Sequence, residues 1–179
     1  RCDGETGEIS STGLYLPRTP KFATHWRGIV RGALDDVFYG VTVAENLLFR
    51  LDVRVPDRPR LDALGPALPD GGGPVQSLLT APNGDLVYLA PVSVDGKSPV
   101  AHAFRFDIVG KTVTRLGEVR LDLDRRILRS AAAELGPTGI CSLLANVTGP
   151  GGQVVEIENP HGYQARNLRL VRWRLPARF

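Results

Sequence analysis

An Arg-x-Asp triplet recurs three times in this chain, as Arg1-Cys2-Asp3, Arg50-Leu51-Asp52 and Arg105-Phe106-Asp107. Each triplet leads, ten to thirteen residues on, to a glycine (Gly13, Gly65 and Gly117), and these glycines stand 52 residues apart both times. A further matching piece lies upstream of the later two triplets. Asp36-Val37-Phe38-Tyr39 and Asp85-Leu86-Val87-Tyr88 are offset by 49 residues. Self-similarity at a fixed period means that each unit is one supersecondary motif, whose apolar surface is buried only against its neighbours. A chain of this kind has its core between repeats.

The runs inside each unit are short, rich in β-branched and aromatic residues, and bounded by turn residues, so they read as strands. In the first full unit the expected strands are 28–32, 37–42, 47–51 and 60–64, with Pro56 and Pro59 in a connection because proline donates nothing to a ladder. The second unit gives 75–80, 86–90, 101–106 and 112–116, and its Asn83-Gly84 turn suits the positive φ of a tight hairpin. A less regular third unit gives 127–133, 140–146 and 168–175, with an insertion from Gln153 to Arg166. Four antiparallel strands per unit at a period near 50 predict an all-β fold of β-propeller blades.

The expected blades are 25–65, 74–117 and 126–175, and residues 1–16 read as the tail of a preceding blade or as a closing strand. Natural propellers close with about four to eight blades. The ring is therefore expected to be completed by other blades, a partner chain or a homodimer.

The sequence from the Asn83-Gly84-Asp85 turn through an aromatic strand to Phe104-Arg105-Phe106-Asp107 and the Gly110-Lys111-Thr112 turn resembles the kelch-type and polysaccharide-lyase-type β-propeller repeats of bacteria. The resemblance extends over residues 1–145 and more loosely beyond. It implies architecture and leaves chemistry open, since propellers host binding proteins, hydrolases, lyases and redox enzymes alike.

Charge and composition exclude some classes. The chain carries 22 Lys and Arg against 19 Asp and Glu, and only Lys21, Lys97 and Lys111 of the cations are lysines. Acidic residues are interspersed among the arginines with no run of five like charges, so nucleic-acid binding is disfavoured. No apolar run approaches the roughly 20 residues that span a bilayer, and no membrane association is expected. Cys2 and Cys141 are too few for a disulfide scaffold and leave the redox compartment open. An extracellular or periplasmic location is expected, with the cytoplasm as the alternative.

In a blade, the start of the inner strand and the loop between second and third strands lie at the same end, around the channel mouth. Those positions select His25, Trp26, Arg27, Glu45, Asn46, Gln76, Lys97 and Ser130, together with His161, Tyr163 and Arg166 of the insertion. Trp26 offers a stacking face for a sugar, and Arg27 and Arg166 suit carboxylate or sulfate. Trp26, Gln76, His161 and Arg166 are the candidate ligand-binding residues. His25, Arg27 and Tyr163 are the candidate catalytic ones, because a uronate lyase needs a base beside a cation that neutralises the developing charge.

The expected partner is a glycan or other acidic polymer. Polysaccharide lyase activity and a protein-interaction scaffold stand as alternatives. Three histidines without local spacing give no metal site, and no cofactor is expected. Tyr39 and Tyr88, at matching places in the repeat, read as packing residues; Asp52 and Asp107 read as acceptors for turn amides. His102, among alternating apolar neighbours, reads as structural.

Overall fold

The computed structural model describes residues 3–16, 26–43, 45–68, 73–93, 96, 99–119, 127–135, 140–147 and 168–174. His25, Lys97, His161, Tyr163 and Arg166 lie outside them. The described chain contains eleven strands: β1 Trp26–Arg31, β2 Val37–Thr42, β3 Leu47–Asp52, β4 Arg60–Pro66, β5 Ser77–Thr80, β6 Leu86–Val92, β7 Val100–Asp107, β8 Thr112–Glu118, β9 Ile127–Leu135, β10 Ile140–Val147 and β11 Leu168–Arg174.

They form three antiparallel sheets in sequence order. Sheet 1 is β1-β2-β3-β4, sheet 2 is β5-β6-β7-β8, and sheet 3, among the described residues, is β9-β10-β11. The fold is all-β, with two four-stranded meanders.

The sheets pack face to face. Tyr39, Val41 and Leu48 of sheet 1 share one core with Leu78, Leu86, Tyr88, Phe104 and Phe106 of sheet 2. The Tyr88 hydroxyl, completely buried, donates to the Ala67 carbonyl at 2.6 Å in the connection between the two sheets. The opposite face of sheet 2, with Val87, Leu89, Ala101 and Ala103, is also buried, and β9 comes against β5, β6 and β7. β5 therefore has β1 on one side and β9 on the other.

The repeated triplet has a clear local job. Asp3 Oδ1 accepts the amides of Glu5 and Thr6 at 2.9 and 2.8 Å, and Asp107 Oδ1 accepts those of Val109 and Gly110 at 2.9 and 2.8 Å. Four residues after each Asp the chain takes a positive φ, 72° at Gly7 and 52° at Lys111. Asp52 takes the Arg54 amide at 3.2 Å in a longer loop, and the Arg54 guanidinium besides.

The repeated glycines are equally specific. Gly65 lies opposite Leu48 and Gly117 opposite Ala103, each at a register shift in the outer hairpin, with φ of 125° and 121°. Each marks a β-bulge in which glycine supplies a backbone that side-chain-bearing residues avoid.

One expected equivalence is corrected. Through the β3–β4 and β7–β8 hairpins, Arg50 corresponds to Arg105, yet Tyr39 lies opposite Arg50 whereas Tyr88 lies opposite Phe104. Because directly opposed residues share a face and strand side chains alternate, the two tyrosines sit on opposite faces of their sheets. Tyr39 points to sheet 2 and Tyr88 to sheet 1, so both enter the same core. The residue in sheet 2 that matches Tyr39 is Val87. The cause is the β1–β2 turn, which is one residue longer in sheet 1: Arg31 pairs with Phe38, but Thr80 with Leu86.

Candidate functional site

At one end of the sheets the inner strands begin and the second strands hand over to the third. Trp26 is already inside β1, opposite Thr42, and is not in the loop before it as expected. The register then shifts, since Gly28 lies opposite Val41, so Arg27 is the extra residue of a bulge. A bulge re-aims the side chain it carries and is frequent beside functional sites. The expected match between Arg27 and Gln76 holds in the register: Gly28 pairs with Val41 and Ser77 with Leu89, and Gln76 immediately precedes that pair. The Gln76 amide donates to the Leu89 carbonyl at 2.8 Å. Its side chain is half-buried.

Asn46 binds this end of sheet 1 to the start of sheet 2. With φ at 49° it takes the left-handed backbone that Asn tolerates. Its Oδ1 accepts the Val75 amide at 2.9 Å, its Nδ2 donates to the Gly73 carbonyl at 3.3 Å, and its own carbonyl accepts the Ala67 amide at 2.7 Å. Asn46 stands at the end where it was expected, and both of its side-chain amide atoms are engaged in fixing the loop. Thr42 caps the same turn, accepting the Leu47 amide at 3.0 Å.

The loop after β2 is thereby held against the approach to β5. The structure thus brings Trp26, Arg27, Glu45 and Gln76 to one end of the two sheets. Ser130 is corrected too, since β9 starts at Ile127 and Ser130 lies within the strand opposite Ala145.

Sequence reasoning missed a polar pair on sheet 2 near the same end. His102 is buried, and the Arg115 guanidinium reaches its ring nitrogens at 3.1 to 3.2 Å. A guanidinium only donates, so at least one imidazole nitrogen serves as an acceptor. The signal was present in the letters, because Arg115 follows the Asp107 triplet on the adjoining outer strand.

The arginine-rich composition has a local explanation. Among the seven arginines with described side chains, Arg31 pairs with Asp35, Arg50 and Arg60 with Asp62, Arg54 with Asp52, Arg105 with Asp85, and Arg115 with His102. Among these seven only Arg58, which is exposed, has no such partner. Most of that charge is neutralised within its own sheet. Burial pushes the Tyr88 hydroxyl far above the ordinary tyrosine range, and the Arg54 guanidinium holds the Asp52 carboxyl down at about 2. Both groups belong to the framework.

Among the described residues no group of three or more His, Cys, Asp or Glu side chains could hold a metal ion, and no helix is long and apolar enough to cross a membrane. No family model, curated protein or solved structure matches this chain.

Proposed function

We propose that the chain is a run of β-propeller blades acting as a binding module for a glycan or other anionic polymer. The ligand lies across the end of the sheets where the inner strands begin. The observation that carries this reading is the placement of Arg27 and Gln76 at matching positions on adjacent units, with β1 and β5 in contact. An extended polymer has a repeating surface, and neighbouring blades offer it a repeating set of contacts. Arg27 supplies charge and donors for carboxylate or sulfate, Trp26 a face for a sugar ring, and Gln76 a neutral donor and acceptor one blade on.

Titration calorimetry with a polyuronate and a sulfated polysaccharide tests it. Arg27→Ala is expected to weaken binding about tenfold, corresponding to one lost charge-assisted contact. Affinity is expected to fall as salt rises. Arg58→Ala, at the opposite end of sheet 1, serves as the control and should leave affinity unchanged. Equal losses from Arg27→Ala and Arg58→Ala would sink the site, and salt-independent binding would sink the anionic ligand.

A further inference from the structure

Arg115 differs from the other paired arginines in how its charge is met. Arg31, Arg50, Arg54, Arg60 and Arg105 each lie within ion-pair distance of an Asp carboxylate. Among the described residues no carboxylate comes that close to Arg115, which is exposed. Its contact is the buried imidazole of His102, with Nε 3.2 Å from Nδ1, and Nη2 3.1 Å from Nδ1 and 3.2 Å from Nε2. A guanidinium carries five N–H donors in a rigid fork, and an imidazole that accepts a hydrogen bond without a metal is neutral. The ring therefore fixes the Nε and Nη2 side of the fork without cancelling its charge. The Nη1 donors have no protein acceptor among the described residues. Arg58 also lacks a carboxylate, but its side chain has no anchor of this kind.

The repeat shows that this pair is an addition to the unit and not a requirement of its framework. Leu48 lies opposite Gly65 and Ala103 opposite Gly117, so the two outer hairpins match from these pairs onward. His102 then corresponds to Leu47, and Arg115, opposite Phe104, corresponds to Ala63, opposite Phe49. Sheet 1 has an aliphatic side chain and a methyl group where sheet 2 carries imidazole and guanidinium. His102 is two residues from Phe104 and Arg115 directly opposes it, so all three share one face of sheet 2. Phe104 belongs to the core shared with sheet 1, and β8 is the outermost strand of its sheet. The exposed Arg115 thus stands at the outer margin of the seam between the two sheets. Glu118, opposite His102 on the same ladder, is beyond ion-pair reach of it.

We propose that Arg115, positioned by His102, is an oxyanion-binding residue of sheet 2. The Nη1 and Nη2 end of its guanidinium takes a carboxylate, sulfate or phosphate group in a bidentate pair, the geometry for which the planar fork is suited. A guanidinium already held on its other side loses less freedom when the anion arrives, and its charge is still available to it. His102 acts through Arg115 as a positioning residue. The ligand is a single oxyanion group, free in solution or carried on a larger molecule. The site lies on the outer strand of sheet 2, away from the inner-strand end where Gln76 lies, and does not rest on the polymer reading.

Nuclear magnetic resonance titrations of the intact chain with inorganic sulfate, inorganic phosphate and glucuronate, at constant ionic strength, test it. The Arg115 Nε–H and the backbone amides of residues 114–116 are expected to shift saturably, with a dissociation constant of about millimolar. Saturation by sulfate and phosphate alone assigns the site to free ions, and saturation by glucuronate to a carboxylate carried on a sugar. Arg115→Ala is expected to abolish the amide shifts, and Arg115→Lys to weaken binding about fivefold, because an ammonium cannot fork. His102→Leu is expected to weaken binding about fivefold, and His102→Gln, which returns a neutral acceptor, to restore most of it. Ala and Leu are what sheet 1 carries at the matching places, and far-UV circular dichroism checks that each variant keeps its β content. No saturable shift with any of the three probes overturns the proposal, as do shifts that persist in Arg115→Ala. Equal affinity in His102→Leu and the native chain overturns the role given to His102. Arg27→Ala is expected to leave these titrations unchanged, so this site and the polymer site fail separately.

Discussion

In sheet 1 the β3 residue Phe49 faces Gly40, whereas in sheet 2 its counterpart Phe104 faces Tyr88 and stacks on it with centroids 5.7 Å apart. A side chain at position 40 would collide with the Phe49 ring. The same aromatic therefore lies on a glycine in one sheet and on a tyrosine in the other. The difference follows from what covers each face. Tyr88 fills space between two sheets and finds an acceptor in Ala67; Phe49 covers its own sheet, where the neighbouring Ile29 still meets solvent. Repeats of one motif diverge where their neighbours differ.

That comparison is broken most directly at the matched pair Leu78 and Ile29. Leu78→Ala deletes a side chain from the core between sheets and is expected to cost about 2 to 5 kcal/mol. Ile29→Ala, at 40% exposure, is expected to cost less than about 1 kcal/mol, because little apolar area returns to water. Urea denaturation reads both. Equal losses would mean that the far face of sheet 1 is covered after all.

The arginines of the triplet give a smaller contrast. Arg105 pairs with Asp85, which is buried and also receives the Asn83 side-chain amide at 2.8 Å and the Ile108 amide at 3.4 Å. Arg50 pairs with Asp62, whose side chain is far more open, and the Val53 amide, counterpart of Ile108, bonds the Asp36 carbonyl. Asp85→Ala strands three donors and is expected to cost about 2 to 3 kcal/mol, whereas Asp62→Ala should stay near the 0 to 1 kcal/mol of a surface pair (both about). A result in the reverse order would show that burial is not what separates the two sheets.

How much of this could be read from the letters depends on the range of the interaction. Strands showed themselves through β-branched and aromatic runs, and the recurring glycines through their spacing, since Gly65 and Gly117 answer a local backbone demand. The Asp107 turn was legible for the same reason, its acceptor and donors lying within three residues. Register was not legible. Matching Asp36 to Tyr39 with Asp85 to Tyr88 aligned identical letters, and one additional turn residue moved them to opposite faces. Of the candidate site, the correspondence of Arg27 with Gln76 was legible from their spacing. The bulge that places Arg27 was hidden, because it is defined by the partner strand. The role of Asn46 in fixing the loop was not legible, because its partners Gly73 and Val75 are 27 and 29 residues away.

The finest contrast within the triplet is between Asp52 and Asp107. Both accept turn amides, but only Asp52 also receives a guanidinium, that of Arg54, at 2.9 Å from Nε. That contact, with the Arg54 amide, lowers the Asp52 carboxyl from 3.8 to about 2. A carboxyl depressed in the folded state binds its proton more readily when unfolded. Its contribution is therefore complete above the unfolded value near 3.8 and is lost as pH falls from there through about 2. Asp52→Asn keeps an acceptor for the turn but has no charge to lose. Its denaturation midpoint is expected to lie below that of the native chain at pH 6, and to converge on it as pH approaches 2. Parallel curves for Asp52→Asn and the native chain would remove Arg54 as the feature that distinguishes the two turns.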